Sequence, residues 1–194
     1  MPLPVVTLVR HGATEWSVAG RHTGRTDLPL TARGEADAGR LGERLQPLVG
    51  LAAFTSPLVR AAHTARLAGL AVVADPDLME WDYGKYEGLT TTAIRAARPG
   101  WELFRDGCPG GESIGDVATR ADRVVARLRD LGADAVVFAH GHLLRVLAAR
   151  WIGHPPAFAR HLALGTAAVC QLGTDHGPAE PCLRLWNDRG HLAD

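Results

Sequence analysis

Lysine is almost missing from this 194-residue chain: of 21 basic residues, only Lys85 is not an arginine. That skew takes the weight off arginine as a residue type, so each arginine counts only by its position. An excess of either charge sign is missing too, with 21 acidic residues against 21 basic ones. A chain of zero net charge lacks the whole-molecule footprint of a nucleic-acid binder. No stretch reaches about 18 apolar residues, the length that a membrane-spanning helix requires. Met1 to Arg10 has neither the basic start nor the apolar length of a signal peptide, so a cytoplasmic location is expected. Cysteine is scarce. Cys108, Cys170 and Cys182 form no CxxC pair and no even-numbered framework, which argues against structural disulfides. Low-complexity tracts, internal repeats and linkers are also wanting, and residues 1–194 are expected to form one domain.

What is present reads as an ordinary globular protein, 46% hydrophobic and 22% charged. Pro4 to Val9 is a β-branched apolar run that predicts a buried strand ending at Arg10-His11-Gly12. Thr31 can cap a helix carrying Ala38, Leu41, Leu45 and Leu48 at helical spacing. Leu51 to Thr55 predicts a strand, Ser56-Pro57 the start of a helix running to about Ala68, and Leu70 to Ala74 a further strand. Ser113 with Asp116 resembles a capping box, ahead of Ile114, Val117, Ala121, Val124, Val125 and Leu128 on one helical face. Ala135 to Ala139 predicts a strand ending at His140-Gly141, followed by a helix through Leu143, Leu144, Leu147 and Trp151. Late strands are expected at Thr166 to Leu172 and at Cys182 to Trp186. Strands alternating with helices predict an α/β fold, a three-layer αβα sandwich around a mainly parallel sheet. Two of its strands end in His-Gly, and ligands bind beyond the carboxyl ends of such strands, so His11 and His140 can meet there.

Transfer of a phosphoryl group needs about two negative charges neutralised and a nucleophile held in line. Arg10 and His11 supply both kinds of group side by side, and Gly12 lets backbone approach a ligand. His140-x-His142 could instead ligate a cation, but no HExxH pattern, Cys/His cluster or carboxylate-rich loop accompanies it. Gly24, Gly110 and Gly111 fit neither a Rossmann nor a Walker pattern. No metal and no cofactor are expected.

The stretch Leu8-Val-Arg-His-Gly-Ala-Thr-Glu-Trp16 closely resembles the signature of the histidine phosphatase superfamily, which includes cofactor-dependent phosphoglycerate mutases and many small phosphatases. The resemblance continues through Thr23-Gly24, Ser56-Pro-Leu-Val-Arg60-Ala with Thr64-Ala65, Glu80 ahead of Tyr83-Gly84, and Ala139-His140-Gly141. It implies a phosphoglycerate mutase-like fold. It implies His11 as the nucleophile that becomes a phosphohistidine, Arg10, Arg60 and His140 as a phosphate clamp, and Glu80 as the proton donor. Thr14, Thr23, Gly24, Tyr83, Gly141 and His142 are expected around the substrate. His142 either touches the phosphate or caps the following helix. By type alone Arg60 reads as a solvated helix residue, His140 as a core histidine and Glu80 as half of a surface ion pair.

Only Leu89 to Pro109 separate Gly88 from Gly110, where mutases of the superfamily carry a longer insertion that keeps water out. Hydrolysis is therefore expected over transfer. The blocks His22-Thr-Gly-Arg-Thr-Asp-Leu-Pro-Leu-Thr31, Glu80-Trp-Asp-Tyr-Gly-Lys-Tyr-Glu-Gly88, Arg105-Asp-Gly-Cys108 and Phe138-Ala-His-Gly-His142 resemble the sedoheptulose-bisphosphatase and acid-phosphatase branch. This implies a small-molecule phosphate ester as partner, a sugar bisphosphate among the candidates, with Arg25, Lys85 or Arg105 as cations for a second phosphate. A phosphoglycerate mutase and a non-catalytic phosphate-binding protein are the alternatives.

Overall fold

The computed structural model describes residues 3–177 and 180–192. Met1 and Pro2 of the leader reading, and the extreme ends of the 1–194 domain reading, lie outside the described residues. In chain order the elements are β1 (Val6–Arg10), α1 (Glu15–Val18), α2 (Ala32–Leu45), β2 (Ala52–Thr55), α3 (Val59–Leu67) and β3 (Val73–Ala74). They continue with α4 (Thr91–Ala97), α5 (Leu103–Asp106), α6 (Ile114–Asp130), β4 (Ala135–Ala139), α7 (Gly141–Trp151), β5 (Val169–Thr174) and β6 (Pro181–Asp188). The six strands form one sheet in the order β3-β2-β4-β1-β5-β6. Its β3, β2, β4 and β1 run parallel, and β5 pairs antiparallel with both β1 and β6.

Period-two alternation builds the three layers. On β4, Ala135, Val137 and Ala139 face the core under α6 and α7, while Val136 and Phe138 face the core under α2 and α3. Leu8 and Val9 of β1 divide in the same way. Every residue of β4 is buried. Each fully buried Val or Leu here contributes about 1.5–3 kcal/mol relative to exposure. This is the αβα sandwich with a mainly parallel sheet that the alternation of elements predicts.

The caps predicted at Thr31 and Ser113 are present, and the one predicted at Ser56 is not. Thr31 accepts from Gly34 N, and Ser113 forms a reciprocal capping box with Asp116. Three boundaries differ from the sequence expectation. Ser56 Oγ accepts from Leu58 N at 3.3 Å and the helix starts only at Val59, whose own N–H goes to Asp27 Oδ1 at 2.8 Å. The β3 strand keeps just two of five expected residues, because it is an edge strand and finds partners only at Phe54 and Thr55. The β5 strand begins at Val169, since Ala167 takes a positive φ of 54° and turns the chain there.

Candidate active site

The parallel register of β1 on β4 sets Arg10 opposite Ala139, so the two His-Gly turns leave the sheet side by side. His11 N donates to Ala139 O at 3.0 Å, and Ala167 N donates to His11 O at 3.1 Å. The loop is held from below by Gly12 N donating to Thr64 Oγ1 at 3.0 Å. It is held from the side by backbone contact with α2, where a Cβ on Gly34 would lie 2.1 Å from Ala13 O. The His11 and His140 ring centroids are 5.2 Å apart.

The hydrogen-bond network fixes both tautomers. His11 Nδ1 lies 2.7 Å from Gly12 O, and a carbonyl only accepts, so Nδ1 carries the proton and Nε2 of the neutral ring carries the lone pair. Burial holds His11 well below the ordinary histidine range, with Arg10 and Arg60 pushing the same way. His140 Nδ1 accepts from Arg60 Nε at 3.1 Å, so its proton sits on Nε2. That atom is buried without a hydrogen-bond partner among the described residues, as is Arg10 Nε. Burial, then Arg60, holds His140 neutral as well. An unsatisfied buried donor costs about 1–3 kcal/mol, so two of them beside one neutral histidine form a site prepared for acceptor oxygens.

Arg60 is fully buried. Its Nη1 donates to Thr26 O at 2.9 Å, and its Nη2 to Thr23 O at 3.1 Å and Gly24 O at 2.9 Å. The solvated reading of its type is thereby corrected. Arg10 Nη1 donates to Leu164 O, and its guanidinium lies over Gly141, where a Cβ would stand 3.2 Å from Arg10 Cζ. Glu80 is buried beside the start of α7. Its Oε1 accepts from Trp81 N and Leu143 N at 2.9 Å each, and its Oε2 accepts from His142 N at 3.0 Å. The carboxyl thus caps α7, and His142 does not. Oε2 takes only one N–H and keeps a lone pair for a proton.

His142 Nδ1 is hydrogen-bonded to Tyr83 Oη at 2.6 Å and stands 4.0 Å from Glu80 Oε2. Burial raises the Tyr83 phenol and lowers the His142 imidazole, so both stay uncharged. Arg10, His11, Thr23, Glu80, Tyr83, Gly141 and His142 line one cavity of about 250 Å³. Arg60 and His140 are not part of its lining; the His140 ring stands 5.2 Å from that of His11, and Arg60 is hydrogen-bonded to it.

Two expected substrate contacts sit elsewhere. Thr14 is buried and spends its hydroxyl capping α1, accepting from Ser17 N at 3.2 Å. Gly24 is wedged against the Glu80 segment, where a Cβ would lie 2.5 Å from Trp81 O. The three expected cations also miss the cavity. Arg25 is 3.6 Å from Asp82 and 3.8 Å from Glu112, Arg105 is tied to Asp106 at 2.8 Å, and Lys85 is exposed on a short turn. Arg21, His22 and Arg145 line it instead. Arg145 lies three residues after His142 on α7, a spacing that puts both on one helix face and could have revealed it. His22 packs on Tyr83 with centroids 4.7 Å apart, and burial lowers its pKa to about 4. Arg120 is a further residue that the sequence pattern hides. It donates to Glu112 Oε1 at 2.7 Å and to the carbonyls of Asp77 and Met79 at 2.8 and 2.9 Å, fastening the segment that delivers Glu80. Among the described residues no group of three or more His, Cys, Asp or Glu side chains is placed to hold a metal ion.

A buried neutral histidine, flanked by arginines and a second histidine at the ends of adjacent parallel strands, defines a phosphate-handling α/β enzyme class. Residues 6–189 match the family model of the histidine phosphatase superfamily, branch 1, and the chain belongs to that family. It is 42% identical to an acid phosphatase of Mycobacterium tuberculosis, over 88% of this chain and 86% of that one. It is 40% identical to the sedoheptulose 1,7-bisphosphatase of Saccharomyces cerevisiae, over 77% of this chain and 68% of that one. A 2,3-bisphosphoglycerate-dependent phosphoglycerate mutase of Gloeobacter violaceus is 35% identical over 75% and 74%. The solved structure of a Mycobacterium tuberculosis open-reading-frame product superposes with a TM-score of 0.90 at 40% identity, covering 95% of this chain and 97% of that one.

Proposed function

We propose that this protein is a phosphomonoesterase that hydrolyses small phosphorylated metabolites, sugar phosphates and bisphosphates among them, through a phosphohistidine on His11. One observation carries the reading: a neutral, buried His11 with the lone pair of its ring on Nε2 lies beside two buried N–H donors, Arg10 Nε and His140 Nε2, that have no partner among the described residues. In the first step the Nε2 lone pair attacks phosphorus, the bond to the ester oxygen breaks, and a proton on Glu80 Oε2 passes to that leaving oxygen. In the second, water attacks the phosphohistidine, its proton passes to the Glu80 carboxylate, and His11 is restored as phosphate departs. Arg10, Arg60 and His140 face the charge that builds on the transferring group. Thr23, Tyr83, Gly141 and His142 shape the cavity around the substrate.

A mutase needs the bound phosphoryl group kept from water. The short stretch between Gly88 and Gly110 supports hydrolysis, although α4 and α5 within it do pack beside the cavity through Thr91 and Phe104. Beyond its cap on α7, the open lone pair of the Glu80 carboxyl beside the cavity supports proton transfer over a pure binding role. We further propose that residues 1–194 act as one unit in a reducing, cytoplasmic setting, a reading supported by three free cysteines and by the lack of any helix among the described residues long and apolar enough to cross a membrane. The test is phosphate release from a panel of phosphorylated metabolites in chelator-containing buffer. Hydrolysis of sugar phosphates is expected, and no release from any ester would refute the reading.

A further inference from the structure

Arg60 is fully buried, yet no carboxylate among the described residues makes a direct ion pair with it. Burial lowers its pKa, and Glu80, Asp27, Tyr83 and Glu87 oppose that shift only from a distance. Of the five N–H groups of a guanidinium, four are spent here, one on His140 Nδ1 and three on the carbonyls of Thr23, Gly24 and Thr26. These three acceptors belong to one turn, so whatever holds that turn sets the orientation of Arg60. The other side of the turn is held by Glu87, whose Oε1 accepts from Gly24 N at 2.8 Å and from Thr26 N at 3.1 Å. Thr23 O and Gly24 N belong to the same peptide group, which therefore lies directly between the Arg60 guanidinium and the Glu87 carboxylate. A clasp beside it joins the two segments, with Gly88 N donating to His22 O and His22 N donating to Leu89 O at 2.9 Å each. A Cβ on Gly24 would lie 2.7 Å from Glu87 Oε2, so glycine is what lets the carboxylate close on the turn.

We propose that Glu87 is a positioning residue for the reaction at His11: through the Thr23 to Thr26 turn it fixes the Arg60 guanidinium, and through Arg60 Nε it holds the His140 ring in the tautomer that carries its proton on Nε2. The proposal rests on the His11 reading for the use made of that proton, which faces the transferring group. Glu87 is not part of the cavity lining, so its effect runs through the turn and not through the substrate. Because Arg60 Nε donates to His140 Nδ1, a guanidinium that loses its three carbonyl anchors no longer selects the bare nitrogen, and either ring nitrogen can then carry the proton. What the turn requires is an acceptor oxygen at the Oε1 position, since both of its ties to Glu87 are backbone N–H groups.

The test reads the tautomer directly. Nitrogen NMR of histidine-labelled enzyme in phosphate-free buffer distinguishes the protonated from the bare ring nitrogen, and the His140 signal is assigned by its loss in His140→Gln. The wild type should show a single Nε2–H tautomer. Glu87→Gln keeps the oxygen and drops the charge, and should preserve that tautomer. Glu87→Ala should mix the tautomers and lower kcat/KM for p-nitrophenyl phosphate roughly ten- to a hundredfold, while Glu87→Gln stays within about threefold of the wild type. If Glu87→Ala fails to fold, Glu87→Asp, which withdraws the oxygen by one methylene, makes the same comparison and should show the same mixing. Wild-type kcat/KM in Glu87→Ala, a lowered kcat/KM with the His140 tautomer unchanged, or equal losses in Glu87→Gln and Glu87→Ala would overturn the proposal. Turnover of p-nitrophenyl phosphate by the wild type reports separately on the phosphatase reading, and its absence would sink that reading while leaving the tautomer comparison valid.

Discussion

His11 can act as a nucleophile because two features remove its proton from Nε2: Gly12 O holds the other proton on Nδ1, and burial beside Arg10 and Arg60 disfavours the imidazolium. The acid limb of kcat/KM should therefore fall well below the 6.5 of an ordinary histidine, and a limb near 6.5 in the wild-type profile would contradict this. The same shifts carry a stability sign. His11, His22, His140 and His142 all have lowered folded values, so the unfolded chain takes up more protons as pH falls below about 6.5, and stability falls with it. The His22 share of this loss is spread from about 6.5 down to about 4, and thermal midpoints measured from pH 7.5 to 4.5 should decline accordingly. Glu80→Gln tests the donor. A positioned general acid is worth on the order of 10²–10⁴-fold, so sugar phosphates should lose that much while an aryl phosphate with a good leaving group loses far less. Equal losses on both esters would remove Glu80 from the role. At this scale the sequence is legible where a motif ends a strand, as at Arg10-His11-Gly12 and His140-Gly141, which the sheet brings side by side. It is opaque where the role comes from a fold contact, as with Thr14, which spends its hydroxyl on a cap, and only partly legible at Arg145, whose spacing from His142 marks a shared helix face but not the cavity that it lines.

Helix and strand spacing lead to the layers because successive residues of β1 and β4 enter opposite cores and burial recurs every third or fourth residue on α2 and α6. The elements missed, α1, α4 and α5, are short and take their stability from tertiary contacts rather than from an apolar stripe of their own. Trp101, for example, is buried with its Nε1 donating to Gly107 O at 2.9 Å, a contact that no periodicity announces. Two predictions belong to this scale. Gly34→Ala would drive a methyl into the Ala13 backbone, which is part of the His11 loop, and should destabilise the fold by about 1–3 kcal/mol while lowering kcat. A wild-type melting curve from that variant would mean the loop has slack that the packing does not show. Arg120→Met breaks a largely buried pair with Glu112 and frees three carbonyls around Glu80, and a loss of about 3 kcal/mol in denaturant unfolding is expected.

Across the whole molecule, the parallel β4-β1 pair sets two histidines at the carboxyl ends of the central strands, α7 presents its amino end to Glu80, and the 89–109 stretch flanks the opening. That arrangement predicts hydrolysis exceeding phosphoglycerate interconversion, and activity undiminished by chelators. The account stands or falls on the covalent step. Rapid quenching of the enzyme with labelled sugar phosphate, followed by peptide mapping, tests it most directly. The prediction is an acid-labile, base-stable phosphoryl adduct on His11 that forms and decays at rates compatible with turnover and is lost, with turnover, in His11→Ala. An adduct on another residue, or undiminished turnover by His11→Ala, would contradict it.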